Sequence, residues 1–255
     1  EEESAALLDA VRSGNNGDLA EDELNRPLLA RLLAVVGTSE AMVDHLVRHP
    51  DSLSLLLAPD PFLLISTPAA SAVSLRAEML TVLGADPDDP APRATVTGDE
   101  GVKTLRRNYR DAVLRLVADD LSAESPDEIV DHVMAVLSDL AAAALDAALA
   151  IARAEIDEAA DIRLAVIALG KTGARELNYV SDVDVVFVLD SAESDGARNL
   201  ATDLAQRMRS ILSDAGGEPA LWEVDTALRP EGKAGALVRT LSEFEHYYAD
   251  IAENW

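Results

Sequence analysis

Apolar residues recur every three and four positions from the start of the chain to about residue 157, the period of helices that each bury one face. "RPLLARLLAVVG" closes at Gly37, which predicts a helix C-cap there, and "TSEAMVDHLVRHP" restarts from Thr38 or Ser39 and breaks before Pro50. The stretch 84–101, "GADPDDPAPRATVTGDEG", holds neither the helical nor the strand period, and its proline, glycine and aspartate predict a flexible loop. After it, "VKTLRRNYRDAVLRLVADDL" is an amphipathic helix. A longer helix, "SPDEIVDHVMAVLSDLAAAALDAALAIARAEI", opens with Ser125 as N-cap and Pro126 at the first helical position.

The period changes at Arg163. "RLAVIALG" and "VDVVFVLD" are short, β-branched and apolar on both faces, as strands covered by helices are. "ARNLATDLAQRMRSILSD" is a helix between them and a third candidate strand, "ALWEVDTAL", which runs into "RPEGKAG". These elements predict an α+β fold, with a helical region over 1–157 packed with a small mixed β-sheet core over 158–255. The chain begins inside a helical pattern and stops at "EFEHYYADIAENW" without a stop signal. It reads as part of a longer protein, with the core truncated at the C-terminus.

Composition narrows the function classes. With 49% apolar residues the chain can bury a sizeable core, and 21 basic against 47 acidic residues leave a net charge of −26. That charge disfavours nucleic-acid phosphates and anionic membranes as partners. With no cysteine, disulfides, zinc-thiolate sites and thiol nucleophiles are excluded. Neither a secretory leader nor an uninterrupted apolar run of membrane length stands out, so the expected location is the cytoplasm.

The candidate chemistry lies in "GKTGARELNYVSDVDVVFVLD". Side chains two apart on a strand share a face, so Asp182 and Asp184 place two carboxylates side by side, an arrangement that calls for a cation between them. Mg2+ takes such oxygen ligands and usually holds substrate phosphates with one or two carboxylates. A D-x-D in an acidic protein is also compatible with a solvated strand end, but its surroundings favour a site. Gly170 at the end of the preceding strand lets the backbone approach a ligand, the turn after it offers N–H groups to phosphate, and Lys171 and Arg175 add cations. Asp225 in "LWEVDTALRPEG" is a third carboxylate for two-metal chemistry, and Arg229, shaped by Pro230 and Gly232, is placed to hold a phosphate or a carboxylate partner. Glu223 shares the strand face of Asp225 and suits either a polar edge or the site.

A strand-end glycine, an Asp-x-Asp pair and a later acidic residue resemble the nucleotidyltransferase superfamily of the DNA polymerase β type. More closely, "ALGKTGARELNYVSDVDVVFV" with "VDTALRPEGKAGALVRT", and the leader "LLAVVGTSEAMVDHLVRHPDSL", resemble the bifunctional glutamine synthetase adenylyltransferase/adenylyl-removing family. The leader and the wording of the second motif are similar to its N-terminal, adenylyl-removing half. The resemblance implies a polymerase β-like core and removal of AMP from a tyrosine of glutamine synthetase by phosphorolysis, releasing ADP. It also implies one or two Mg2+ ions on Asp182, Asp184 and Asp225, and a nucleotide (ADP, ATP or AMP) near Gly170, Lys171, Gly173, Arg175, Ser181 and Arg229. Glutamine synthetase is the implied protein substrate, with the PII signalling protein a possible partner. The adenylyl-attaching half using ATP, or a docking module without catalysis, are the alternatives.

Other polar residues are set aside. His45, His49, His132 and His246 show no ligand spacing and read as helix-surface or helix-end residues. Arg106, Arg107 and Arg110 around Tyr109 read as a face salt-bridged to carboxylates, and "HYYADIAENW" as core-facing aromatic packing.

Overall fold

The computed structural model describes residues 19–57, 68–159, 161–190 and 195–252, and the architecture is α+β, a run of helices followed in the chain by a small mixed sheet. The chain divides into two compact units.

One unit comprises Glu1–Ser66 and Arg110–Val133. In it α1 (Leu19–Thr38), α2 (Glu40–Arg48) and a 3-10 helix (Pro50–Leu57) follow one another. Gly37 does not cap α1. The helix runs through it to Thr38, whose hydroxyl donates to the Ala34 carbonyl at 2.7 Å, so the end is closed without a left-handed residue. Ser39 then caps α2, accepting from the Met42 N–H at 3.3 Å. Leu32, Val35, Met42, Leu46 and Leu56 are buried here. His45 departs from the expectation of a helix-surface or helix-end residue: it is 1% exposed, with Nε2 2.7 Å from Asp111 Oδ1. Asp111 also accepts from Ser52 Oγ at 2.6 Å, so the buried ring has a polar partner that sequence spacing does not reveal.

The other unit comprises Thr67–Tyr109 and Met134–Trp255. After α3 (Pro68–Thr81) the proline-rich stretch is tied down. Ala94 N–H donates to the Ala150 carbonyl, Thr95 and Val96 N–H both donate to Leu83, each at 3.0 Å, and α4 (Gly98–Asp120) begins within the stretch. Helix α5 (Pro126–Glu155), which belongs to this unit from Met134 on, starts at Pro126, where the missing N–H does no harm. It is long and apolar enough to cross a membrane, yet 78% of its apolar window is buried inside the protein and Asp139 and Asp146 interrupt it, as in a core helix.

The sheet is built on one central strand. β1 (Leu164–Ala168) pairs antiparallel with β2 (Val183–Leu189), Leu164 opposite Leu189 and Ala168 opposite Val185, with the short helix α6 (Gly170–Ala174) between them. Helix α7 (Asp195–Ser213) then carries the chain across, so that β3 (Val224–Asp225) and β4 (Val238–Thr240) both pair with β2 in parallel, the connection a parallel pair requires. β2 is buried along most of its length, whereas β1 is a sheet edge and only Leu164 in it is buried; Ile167 is 44% exposed. The expected covering of both strands on both faces therefore holds for β2 alone. β3 is shorter than "ALWEVDTAL" suggests, because the chain turns immediately after Asp225. β4 lies where no strand is expected, being too short to show a period.

Arg106 on α4 is 1% exposed and closes the end of α7. Its Nε donates to the Ile211 carbonyl at 2.9 Å, Nη1 to Glu218 at 2.8 Å and Nη2 to Asp214 at 2.7 Å. It serves carbonyls at the end of α7 and in the loop that follows it rather than a salt-bridged face. Tyr109, also buried, accepts from Trp222 Nε1 at 3.1 Å. The chain continues through α8 (Leu241–His246), opened by a Thr240/Glu243 capping box, into a π-helical turn (Tyr247–Ile251). Tyr248 is 60% exposed there, so this segment is not core-facing as expected; residues 253–255 lie outside the described residues.

Candidate metal and nucleotide site

Asp182 stands just before β2, Asp184 is its second residue, and Asp225 ends β3. The parallel register sets Asp184 directly opposite Asp225, and one carboxylate oxygen from each of Asp182, Asp184 and Asp225 lies within 4.8 Å of the others. Asp225 is oriented by its own turn, its Oδ1 accepting from the Ala227 N–H at 2.7 Å. The Asp184 main chain is fixed as well, its carbonyl accepting from the Leu169 N–H at 2.8 Å. The side chains are exposed at Asp182 and half-buried at Asp184 and Asp225.

The glycine turn faces this group. Gly170 has φ +53°, and a Cβ there would fall 2.4 Å from Asp184 Oδ2, so any other residue would both strain the backbone and displace the carboxylate. Gly173 is required for a different reason, since a Cβ there would meet the Ala168 carbonyl oxygen at 2.6 Å. Lys171 Nζ reaches Ser181 Oγ at 3.4 Å, and Ser181 in turn donates to Asn178 Oδ1 at 2.8 Å. Asn178 thus braces the loop between turn and strand, a role that the sequence pattern does not single out.

The two arginines are placed differently from the other candidates. Arg175 closes α6 in the left-handed region, φ 61°, and its Nη2 donates to Asp139 on α5 at 2.6 Å. One residue earlier on α5, Ser138 Oγ accepts from the Leu177 N–H at 3.2 Å, so α5 clamps the turn at two points. Arg229 donates to the carbonyls of Gly235, Thr226 and Lys233 at 3.1, 2.7 and 3.0 Å, holding the "RPEGKAG" loop in shape. Glu223 is exposed and stands outside the carboxylate group.

Burial pushes the Asp184 carboxyl above its ordinary value, Asp182 and Asp225 push it further, and Lys171 pulls against them. Like charges this close favour the neutral form unless a cation shares them. An all-oxygen set of three carboxylates fits a hard divalent ion such as Mg2+ or Mn2+ and not a soft one.

The family model for glutamate-ammonia ligase adenylyltransferase matches residues 29–255. The chain belongs to this family. Among curated relatives, the bifunctional glutamine synthetase adenylyltransferase/adenylyl-removing enzyme of Mycolicibacterium smegmatis is 44% identical over 98% of the chain and 24% of the relative. Those of Leifsonia xyli and Cutibacterium acnes are 42% and 40% identical, each over 88% of the chain and 23% of the relative. This member of the family thus spans about a quarter of the length of the relatives it matches.

Proposed function

We propose that the chain carries the adenylyl-removing nucleotidyltransferase site of a bifunctional glutamine synthetase adenylyltransferase/adenylyl-removing enzyme. The observation that carries this reading is the convergence of Asp182, Asp184 and Asp225 opposite the Gly170 turn, in a chain of this family. The helical leader and the wording "LWEVDTALRPEGKAGALVRT" favour the removing half over the attaching half. The reaction is phosphorolysis of AMP-tyrosine on glutamine synthetase. An oxygen of inorganic phosphate bonds to the AMP phosphorus, the bond from that phosphorus to the tyrosyl oxygen breaks, the tyrosyl oxygen takes up a proton, and ADP leaves.

Asp182, Asp184 and Asp225 would hold one or two Mg2+ ions, which neutralise charge on the attacking and leaving oxygens when bound. Gly170, having no Cβ, leaves the room that the Asp184 carboxylate occupies, and Lys171 supplies a cation at the same place. Ser181, steadied by Asn178, keeps the Lys171 ammonium near the carboxylates. Gly173 lets α6 pack against the end of β1, while Arg175 and Arg229 act through position, the first anchoring the turn to Asp139 and the second shaping the loop after Asp225. Phosphate is already anionic at neutral pH, so no general base is needed. We propose the PII signalling protein as a further partner and the cytoplasm as the setting.

The test is to incubate the chain with adenylylated glutamine synthetase, phosphate and Mg2+, and in parallel with unmodified glutamine synthetase, ATP and Mg2+. ADP release in the first mixture is expected. AMP transfer in the second alone would assign the chain to the attaching half, and neither reaction would leave it a docking module.

A further inference from the structure

A cavity of about 450 Å3 lies where α5 faces β1. Its strand residues Leu164, Val166 and Ala168 pair with Leu189, Phe187 and Val185, so it opens on the sheet face opposite Asp184. A neighbouring cavity of about 670 Å3 shares Pro90, Leu164 and Arg153 with it. The charges around the first cavity pair off, with one exception. Arg76 Nε holds Asp146 at 2.7 Å, and Arg175 holds Asp139 at 2.6 Å. Arg153 lines both cavities, is 5% exposed, and among the described residues has no hydrogen-bond or ion-pair partner; its Nε is enclosed without an acceptor. Burial pushes its pKa down against the pull of Asp146 and Asp89.

A guanidinium stays charged at neutral pH, so enclosing its Nε without an acceptor is unfavourable, and its remaining N–H groups face the cavities. Among the residues facing the cavity it is the feature that an incoming group would satisfy. We infer that Arg153 is the anion-recognition residue of a small-molecule site that takes a monocarboxylate with a short aliphatic body. The carboxylate accepts from the guanidinium, and the aliphatic part lies along Ala142, Leu149 and Val166. The charge count sets the class: one unpaired cation matches one negative charge, while Asp139 and Asp146 on the same wall disfavour a more highly charged anion such as phosphate. The site is independent of the glutamine synthetase reading, which stands or falls on other residues.

The test is a calorimetric titration of hexanoate into the full chain, beside hexanamide and inorganic phosphate as probes. Hexanoate is expected to bind, and hexanamide and phosphate to bind roughly tenfold or more weakly, the effect of losing a charge-assisted hydrogen bond or adding an unmatched charge. Arg153→Met removes hexanoate binding; Ala142→Phe, at an exposed position of the wall, blocks the cavity while leaving the guanidinium in place and does the same. If Arg153→Met fails to fold, Ala142→Phe decides. No hexanoate binding up to about 10 mM, affinity unchanged in either folded variant, or phosphate binding more tightly than hexanoate would each overturn the assignment.

Discussion

The Arg106 cap and the Asp182, Asp184 and Asp225 group concentrate charge in the same compact unit, and they handle it in opposite ways. Arg106 is 1% exposed and its donors meet the carbonyls of Ile211, Asp214 and Glu218, so the protein itself satisfies the charge. The three carboxylates have the reverse arrangement, like charges converging within 4.8 Å, and burial together with Asp182 and Asp225 raises the Asp184 pKa. A charge answered from within holds a fold together. Like charges left unanswered are unfavourable on their own, and the proposed Mg2+ would relieve that repulsion.

Asp182→Asn, Asp184→Asn or Asp225→Asn each lowers Mg2+-dependent ADP release on the order of 10²-fold or more, with an unchanged circular-dichroism spectrum. An equal rate for wild type in excess chelator would contradict the metal role. Arg106→Met acts on the other side of the comparison: it leaves the carbonyls of Ile211, Asp214 and Glu218, at the end of α7 and in the loop after it, short of a donor and destabilises folding by about 2–4 kcal/mol in urea unfolding, whether or not Mg2+ is present. Gly170→Ala stands between, costing about 1–2 kcal/mol for a left-handed alanine and also weakening Mg2+ binding by shifting Asp184.

The smallest effect is one of sign. Because the folded-state pKa of Asp184 is raised, its protonated form is the one the fold favours, so the contribution of Asp184 to metal-free stability is fully present below the unfolded carboxylate pKa and is lost as pH rises through the folded value. Asp184→Asn removes that decline. At neutral pH without metal the variant melts slightly above wild type, and adding Mg2+ reverses the order. A variant that melts below wild type in chelator would show that the carboxylates do not strain the empty site.

The comparison also explains what could be read in the sequence. Asp182 and Asp184 are two apart on a strand, Gly170 ends the strand before, and Asp225 falls in a recognisable motif, so strand period and short spacing carried the carboxylate group. Satisfied charges leave no such trace. Arg106 meets carbonyls more than a hundred residues further along the chain, Arg175 meets Asp139 on a helix 36 residues earlier, and His45 meets Asp111 66 residues later. Nothing local distinguishes these residues from a solvated face. The same limit applied to the sheet: β2 announced itself by an apolar run of five residues, Val185–Leu189, whereas β4 exists only because β2 offers a free edge to Val238–Thr240.

The most direct measurement is calorimetric titration of ADP into the chain with Mg2+ and with chelator, repeated on Asp184→Asn. The account predicts ADP binding that requires Mg2+ and is lost in the variant. Equal ADP binding in chelator, or undiminished Mg2+-dependent binding by Asp184→Asn, would contradict it.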